Sequence, residues 1–462
     1  MSGGGVSGGG RPAPGTARPY HFPAVERATL ANGLRLIIAT MPRLPVVTVL
    51  ALVDAGAAAD PAGAEGTAAL TARALTEGTA SLDGVALTDR LESLGTSLEG
   101  YADWDSTTAR MTVMPARLSE AFAVFAEVLR APTFPEHDVA RRRDERLADL
   151  EQRLAEPRAL AGQRFSGFVY AAGTRYARAT GGTIATVTPL DATSVRAFHG
   201  AHYAPSTTTL IFVGDVRRDE AVRLAEGALG DWKGSARAAP AVEVRERRAA
   251  RRTVIVEKID APQSELRVGH VGVPRAHPDH LAIVVMNAIL GGLFSSRINL
   301  NLRERHAFTY GASSGFEWRR AAGPFVVSTA VKSEVTDRAV EEILREIDGL
   351  RAAAPSASEL ALATDYLAGV FPIRYESTDA VAGALASAAV FGLPADWFST
   401  YRDRVQALRV EDIHAAAQAH LDPTRLLVLA VGDPAVIREP LERLAIGETT
   451  VVAATHDPAE VP

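Results

Sequence analysis

Ala201-His202-Tyr203-Ala204-Pro205, followed by Leu210-Ile211-Phe212-Val213-Gly214-Asp215, has a counterpart in Ala419-His420-Leu421-Asp422-Pro423, followed by Val428-Leu429-Ala430-Val431-Gly432-Asp433. In each passage a helix gives way at a proline, which cannot continue it, and a buried apolar strand then ends on Val-Gly-Asp. The prolines and the valines share one offset, 218 residues. Solenoid units repeat every ~20–50 residues, so this offset marks a duplicated domain.

Upstream of the first passage, strand and helix patterns alternate. Asn32-Gly33 turns a hairpin within Thr29–Thr40 that feeds the strand Arg35–Ile38, and Val46–Val53 is a second apolar strand. Gly66–Thr76 and Leu87–Leu94 read as helices stopped by Gly78 and Gly95. Arg110–Val113 is a strand, Leu118–Leu129 an amphipathic helix, and Glu136–Ala155 a long charged helix ending before Pro157. Thr193–His202 is the last helix before the closing strand, Thr207–Val213. The second half repeats the pattern, with strands Thr253–Lys258 and Ser264–Val273 and helices Pro278–Leu290, Val335–Leu350, Ser358–Val370 and Val381–Val390. This order predicts an α+β fold of two homologous domains. Each is a mostly antiparallel β-sheet of about five or six strands with helices packed on one face. The expected boundaries are a disordered tail over 1–20, a first domain over 21–233, a linker over 234–252, a second domain over 253–450 and a tail over 451–462.

Hydrophobic residues form 47% of the 462 and charged residues 23%, enough to bury two sizeable cores. A net charge of -6 opposes a general affinity for nucleic acid, whose phosphates need a basic footprint. The one basic run, Arg245, Arg247, Arg248, Arg251 and Arg252, reads as a solvated linker. The absence of cysteine removes disulfides, thiolate nucleophiles and thiolate metal sites together. Met1–Gly15 lacks the apolar stretch of a signal peptide, and no run of ~18 apolar residues is seen that would cross a bilayer. A cytoplasmic location with no membrane partner is expected.

Neither a G-x-x-x-x-G-K-[ST] phosphate loop nor a G-x-S-x-G nucleophile elbow is present. His199 and His202, and His277 and His280, have i, i+3 spacing without the glutamate that a zinc hydrolase helix needs beside its histidines. His277 also precedes Pro278, ahead of the helix rather than on its face. His414 and His420 lie too far apart around a helix. All six read as structural or surface histidines.

The stretch Gly66-Thr67-Ala68-Ala69-Leu70-Thr71-Ala72-Arg73-Ala74-Leu75-Thr76-Glu77-Gly78-Thr79 resembles the signature segment of the pitrilysin/insulysin peptidases. These are the inverted-motif zinc enzymes, and the mitochondrial processing peptidases belong with them. In that family the helix follows a glycine, carries H-x-x-E-H and precedes a Gly-Thr pair. Further fragments match in order: Leu91-Glu92-Ser93-Leu94-Gly95, Pro132-Thr133-Phe134, Ile289-Leu290-Gly291-Gly292 with Phe294-Ser295-Ser296-Arg297, and Leu302-Arg303-Glu304 before Tyr310. With the two closing passages, the resemblance spans nearly all of residues 25–445.

In active members of that family the two histidines bind zinc and the glutamate activates the water. Here Ala69 and Arg73 occupy the histidine positions and Ala72 the glutamate position. A methyl group has no lone pair, and a guanidinium is a permanent cation that only donates. The third ligand of the family, an acid on the long helix, falls at Asp149, with Glu151 as the alternative. One carboxylate does not hold a catalytic zinc, so no metal is expected in this chain. If Arg73 points inward, it is expected to pair with Asp149 or Glu151 where the metal would have sat.

Arg303 and Tyr310 match the arginine–tyrosine pair of the family's second half. There the arginine orients the peptide and the phenol donates to the oxygen on which charge develops. Some bacterial members divide zinc and this pair between two chains. The resemblance therefore implies a non-catalytic subunit of a heterodimeric zinc peptidase, with zinc in a homologous partner subunit and a peptide as substrate. It further implies clam-like halves whose dimers form a chamber. The alternatives are a structural member, like the core subunits of respiratory complexes, and an independent peptide-binding module. The glycine-rich loop of the mitochondrial non-catalytic subunit is reduced here to Gly291–Ser296, so presequence recognition is not carried over.

Overall fold

The computed structural model describes residues 19–234, 236, 241–247 and 250–455. The expected N-terminal tail therefore lies almost wholly outside the described residues, as do Arg248 and residues 456–462.

Strands β1 (Val25–Thr29), β2 (Arg35–Thr40), β3 (Val47–Val53), β4 (Glu99–Ala102), β5 (Thr107–Val113) and β6 (Thr208–Gly214) form one sheet, ordered β1-β2-β6-β3-β5-β4. Strands β7 (Arg252–Glu257), β8 (Gln263–Val271), β9 (Ala312–Phe316), β10 (Pro324–Lys332), β11 (Leu427–Gly432) and β12 (Glu448–Val452) form the other, ordered β12-β7-β11-β8-β10-β9. Without its first-named strand, each sheet has the same topology, and the repeated Val-Gly strands β6 and β11 occupy the same place. The sixth strand breaks the symmetry. Near the chain's start β1 joins β2 antiparallel, whereas near its end β12 joins β7 parallel. The second sheet thus runs past residue 450 to Val452, and Arg252 opens β7 rather than closing the linker.

Strands β3, β6 and β11 are buried along their whole length, so both faces of each sheet must be covered. Helices of the same half cover one face. The opposite half supplies a helix to the other. Helix Thr378–Phe391 lays Val381 and Leu385 on Ile37, Leu50, Leu52 and Ile211 of the first sheet. Helix Pro157–Val169 lays Leu160, Phe165 and Phe168 on Val254, Leu427 and Leu429 of the second. Each such side chain, fully buried, stabilises by about 1.5–3 kcal/mol relative to exposure, which locks the halves together. The long charged helix runs over Glu136–Ala155, and Pro157 starts the exchanged helix in its first turn, where a missing N–H costs nothing.

The basic run is not a solvated linker. Arg247 Nη1 donates to Gly167 O at 3.0 Å and Arg252 donates to Phe168 O, satisfying carbonyls in the last turn of the exchanged helix. Arg251 donates to Pro423 O, and among the described arginines of the run Arg245 alone keeps to a surface pair, with Glu243 at 2.8 Å. The absence of a bilayer-length apolar stretch also needs correction. The helical run His280–Arg305 is long and apolar enough by composition, although more than half of its apolar window is buried within the fold.

Candidate functional site

Helix Thr67–Ala74 starts at Gly66, whose φ of +103° favours glycine. Asp60 caps it from beneath, its two oxygens accepting from Gly66 N at 2.8 Å and Ala68 N at 2.7 Å. Burial pushes the Asp60 carboxyl up to about 7, against the pull of these amides. Ala69 is half-buried and Ala72 buried. Edge strand β4 crosses so close to the helix that a Cβ at Gly100 would collide with the Ala72 carbonyl. The signature helix therefore lies directly against an open sheet edge, whose Glu99 and Tyr101 are exposed.

Arg73 is exposed and, among the described residues, forms no hydrogen bond or ion pair. The pairing expected with Asp149 or Glu151 is not made. Asp149 already has partners on its own helix, Arg146 Nη1 at 2.5 Å and Arg153 Nε at 3.2 Å, and Glu151 is exposed. Partial burial works to raise the Asp149 carboxyl, but the two guanidiniums outweigh it and hold it below the usual range. Neighbours at i±3 and i±4 reach Asp149 without crossing between helices, and Arg73 keeps its hydration.

The acid that does cross between these helices is Glu77. It is buried and accepts from Arg141 Nη2 and Arg142 Nε, each at 2.5 Å. No motif marks Glu77, although the triplet Arg141-Arg142-Arg143 on the facing helix asks for a buried acid. The seam thus carries Arg73, Arg141, Arg142 and Arg146 beside Glu77 and Asp149, both already paired. Zinc needs three or four converging lone-pair donors. Two methyls, a guanidinium and a doubly paired carboxylate do not fit that ion.

In the second half, Arg303 lies on a π-helical stretch, Leu300–Arg305. Such stretches are rare and concentrate at functional sites. Its guanidinium stands 4.6 Å from the Phe294 ring centre, with Glu304 3.3 Å from its Nε. Tyr310 is 92% exposed, and its hydroxyl has no hydrogen-bond partner among the described residues. The backbone around it is held, however. Thr309 Oγ1 accepts from Gly311 N at 3.1 Å and from Thr329 Oγ1 at 3.0 Å. Asn299 ties this loop to the Arg303 region, accepting from Ala312 N at 3.0 Å and donating to Phe294 O at 2.6 Å. Asn299, Thr309 and Thr329 match no motif, and only the Thr-Tyr-Gly turn composition hinted at them.

The structure also gathers His277, Asp279 and His420 within 4.8 Å of one another, a meeting that no sequence spacing announces. His420 Nε2 lies 2.8 Å from Asp279 Oδ2, linking helix Val410–His420 to the start of helix His280–Asn287. His199 pairs with Leu129 O at 3.0 Å, a structural role as read.

Known families account for this geometry. Residues 35–180 match the model described as Insulinase (Peptidase family M16), and residues 189–367 match Peptidase M16 inactive domain. The chain belongs to peptidase family M16. It is 25% identical over 365 residues to an uncharacterized zinc protease of Streptomyces coelicolor, covering 77% of this chain and 78% of that one. It is 22% identical over 272 residues to a probable mitochondrial-processing peptidase subunit beta of Arabidopsis thaliana, covering 58% and 51%. Among solved structures, a peptidase M16 inactive domain from Pseudomonas fluorescens superposes with a TM-score of 0.82 at 28% identity, covering 88% of this chain and 98% of that one. A chain of complex III2 from Candida albicans shares the fold alone, with a TM-score of 0.77 at 15% identity over 92% and 100% of the two chains. The family expected from the signature segment and the two-domain fold expected from the duplicated passages are both met. No H-x-x-E-H run occurs in this sequence.

Proposed function

We propose that this chain is the non-catalytic subunit of a two-chain zinc peptidase. It binds the substrate peptide, holds no zinc, and brings Arg303 and Tyr310 to the active site of a homologous zinc-bearing partner in the cytoplasm. The observation that carries this reading is the presentation of Tyr310. Its ring is almost wholly exposed while Thr309 and Thr329 pin the backbone beneath it. An aromatic ring gains little inside its own chain from such a placement, but it suits contact with a second molecule.

The open edge of β4 supports peptide binding. An extended segment adds a strand to such an edge through main-chain hydrogen bonds, with alternate side chains setting specificity. Bound in the partner, zinc would activate water and polarise the scissile carbonyl. The Tyr310 hydroxyl would donate to the oxygen on which charge develops. Arg303, always protonated, would hold a carbonyl or carboxylate of the peptide.

A second reading is a scaffold or peptide-binding chain with no part in catalysis. It is favoured by the ion-paired seam around Glu77, which has no chemical use. The test is to purify the chain alone and with a homologue carrying intact H-x-x-E-H, and to measure zinc and peptide cleavage in each. One zinc per pair and cleavage only by the pair are expected. Stoichiometric zinc at the signature helix with cleavage by this chain alone would overturn the proposal.

A further inference from the structure

Helices His280–Asn287, Ala357–Arg374, Thr378–Phe391 and Trp397–Gln406 surround a cavity of 530 Å³ in the second half. Its wall is rich in aromatic rings, with Trp318, Trp397 and Tyr401 among the lining residues, and it also holds Arg275, Arg374 and His280. The guanidinium carbons of Arg275 and Arg404 lie 4.7 and 4.8 Å from the Trp397 ring centre. Among the described residues, none of Arg275, Arg374 and Arg404 pairs with an Asp or Glu, so positive charge gathers here unopposed.

Two buried polar atoms at this cavity also lack partners. Arg275 Nη1 and His280 Nδ1 have no hydrogen bond among the described residues, and His280 is only 5% exposed. The His280 ring is wedged 4.2 Å from that of Trp318. Burial, aided by the charges of Arg275 and Arg404, pushes His280 down to about 3, so its imidazole stays neutral. Burial also lowers Arg275 to about 10, which leaves it protonated at neutral pH. Among other arginines with an unpartnered buried nitrogen, Arg164 and Arg319 reach a carbonyl or an acid through another nitrogen. An unpaired donor in an apolar wall is costly unless a ligand satisfies it.

We infer that this cavity binds a small organic carboxylate with an apolar body, the carboxylate on Arg275 and the body between Trp318, Trp397 and Tyr401. The volume lies within the roughly 300–1,000 Å³ typical of small-molecule sites, and an aromatic wall with a few convergent polar groups is their usual chemistry. A guanidinium with free Nη donors suits the two coplanar oxygens of a monoanion. Neutral His280 adds a nitrogen able to donate or accept. This assignment stands apart from the subunit reading, since it uses neither Tyr310 nor the signature helix.

The test titrates the full chain with 3-phenylpropionate, decanoate and 3-phenylpropionamide, using calorimetry and tryptophan fluorescence. Two of the chain's four tryptophans line the cavity, so occupancy should change the emission. One-to-one binding of either acid is expected, at least tenfold tighter than the amide. Arg275→Met should weaken the acid at least tenfold, whereas Arg438→Met, at an exposed pair with Glu442, should not. Circular dichroism checks that the Arg275→Met variant is folded. If it is not, the acid–amide comparison on the unmodified chain decides. Equal affinity for acid and amide, no binding of either acid up to millimolar concentration, or unchanged binding in folded Arg275→Met would overturn the inference.

Discussion

The two halves of this protein present equivalent sheet edges, β4 and β9, and have equipped them in opposite ways. Beside β4, helix Thr67–Ala74 offers two methyl groups, turns Arg73 to solvent, and is locked to the long helix by Glu77 between Arg141 and Arg142. Beside β9, polar groups do the reverse. Asn299, Thr309 and Thr329 hold the backbone and leave Arg303 and Tyr310 available. In the first half the acid beside the signature helix is consumed inside the fold, and in the second the Tyr310 ring faces outward. The same backbone topology carries both, which illustrates that function resides in sites placed on a fold rather than in the fold itself.

The largest expected effect comes from breaking the first-half lock. Replacing Arg141 and Arg142 together by alanine leaves Glu77 buried and unpaired, and should cost about 3 kcal/mol of stability in urea unfolding. A loss below about 0.5 kcal/mol would show that the lock is a surface pair. Next is Gly100→Ala, whose methyl meets the Ala72 carbonyl. It should destabilise by about 1–3 kcal/mol and, in the pair, weaken peptide binding by moving β4 off the helix. On the other edge, Arg303→Lys keeps the charge but loses the planar fork, and should raise KM about tenfold with little change in kcat.

The halves should also differ in their response to pH. His270 in β8 donates from Nδ1 to Val271 O at 2.7 Å, while its Nε2 accepts from Asp422 N at 3.1 Å. Burial holds it at about 4 rather than the ordinary 6.5, so the unfolded chain takes up the proton first. Its stabilising contribution is complete above 6.5 and is lost as pH falls through about 4. Asp60, under the signature helix, has the opposite sign. Its carboxyl sits at about 7 rather than 3.8, so its contribution is complete below 3.8 and is lost as pH rises through 7. Melting temperatures measured from pH 7.5 to 4 should show His270→Asn flattening the acid-side loss and Asp60→Asn flattening the loss toward pH 7. Parallel curves for both variants and the unmodified chain would contradict the assignments.

Local signals in the sequence carried a good part of this. The repeated Pro and Val-Gly-Asp passages placed β6 and β11, and the prolines at 135 and 157 bracket the long helix Glu136–Ala155 as expected. Strand β10 and the edge strands β1, β4, β9 and β12 have no reading in the sequence; the edge strands are short and weakly patterned, and β12 pairs with a strand distant in sequence, β7. The exchange of helices Pro157–Val169 and Thr378–Phe391 is a non-local packing choice that periodicity cannot show. At the site, Ala69, Ala72 and Arg73 are singled out by the resemblance of their stretch to a known motif. The direction taken by Arg73 was not legible, since Asp149 is satisfied by Arg146 and Arg153 on its own helix. Glu77 meets its arginines across 64 and 65 residues, a distance at which charge pattern names no partner.

Division of one active site between this chain and a zinc-bearing homologue is tested by Tyr310→Phe in the purified pair. A fall in kcat of about a hundredfold is expected, with KM and zinc content unchanged. Turnover equal to that of the unmodified pair would contradict it.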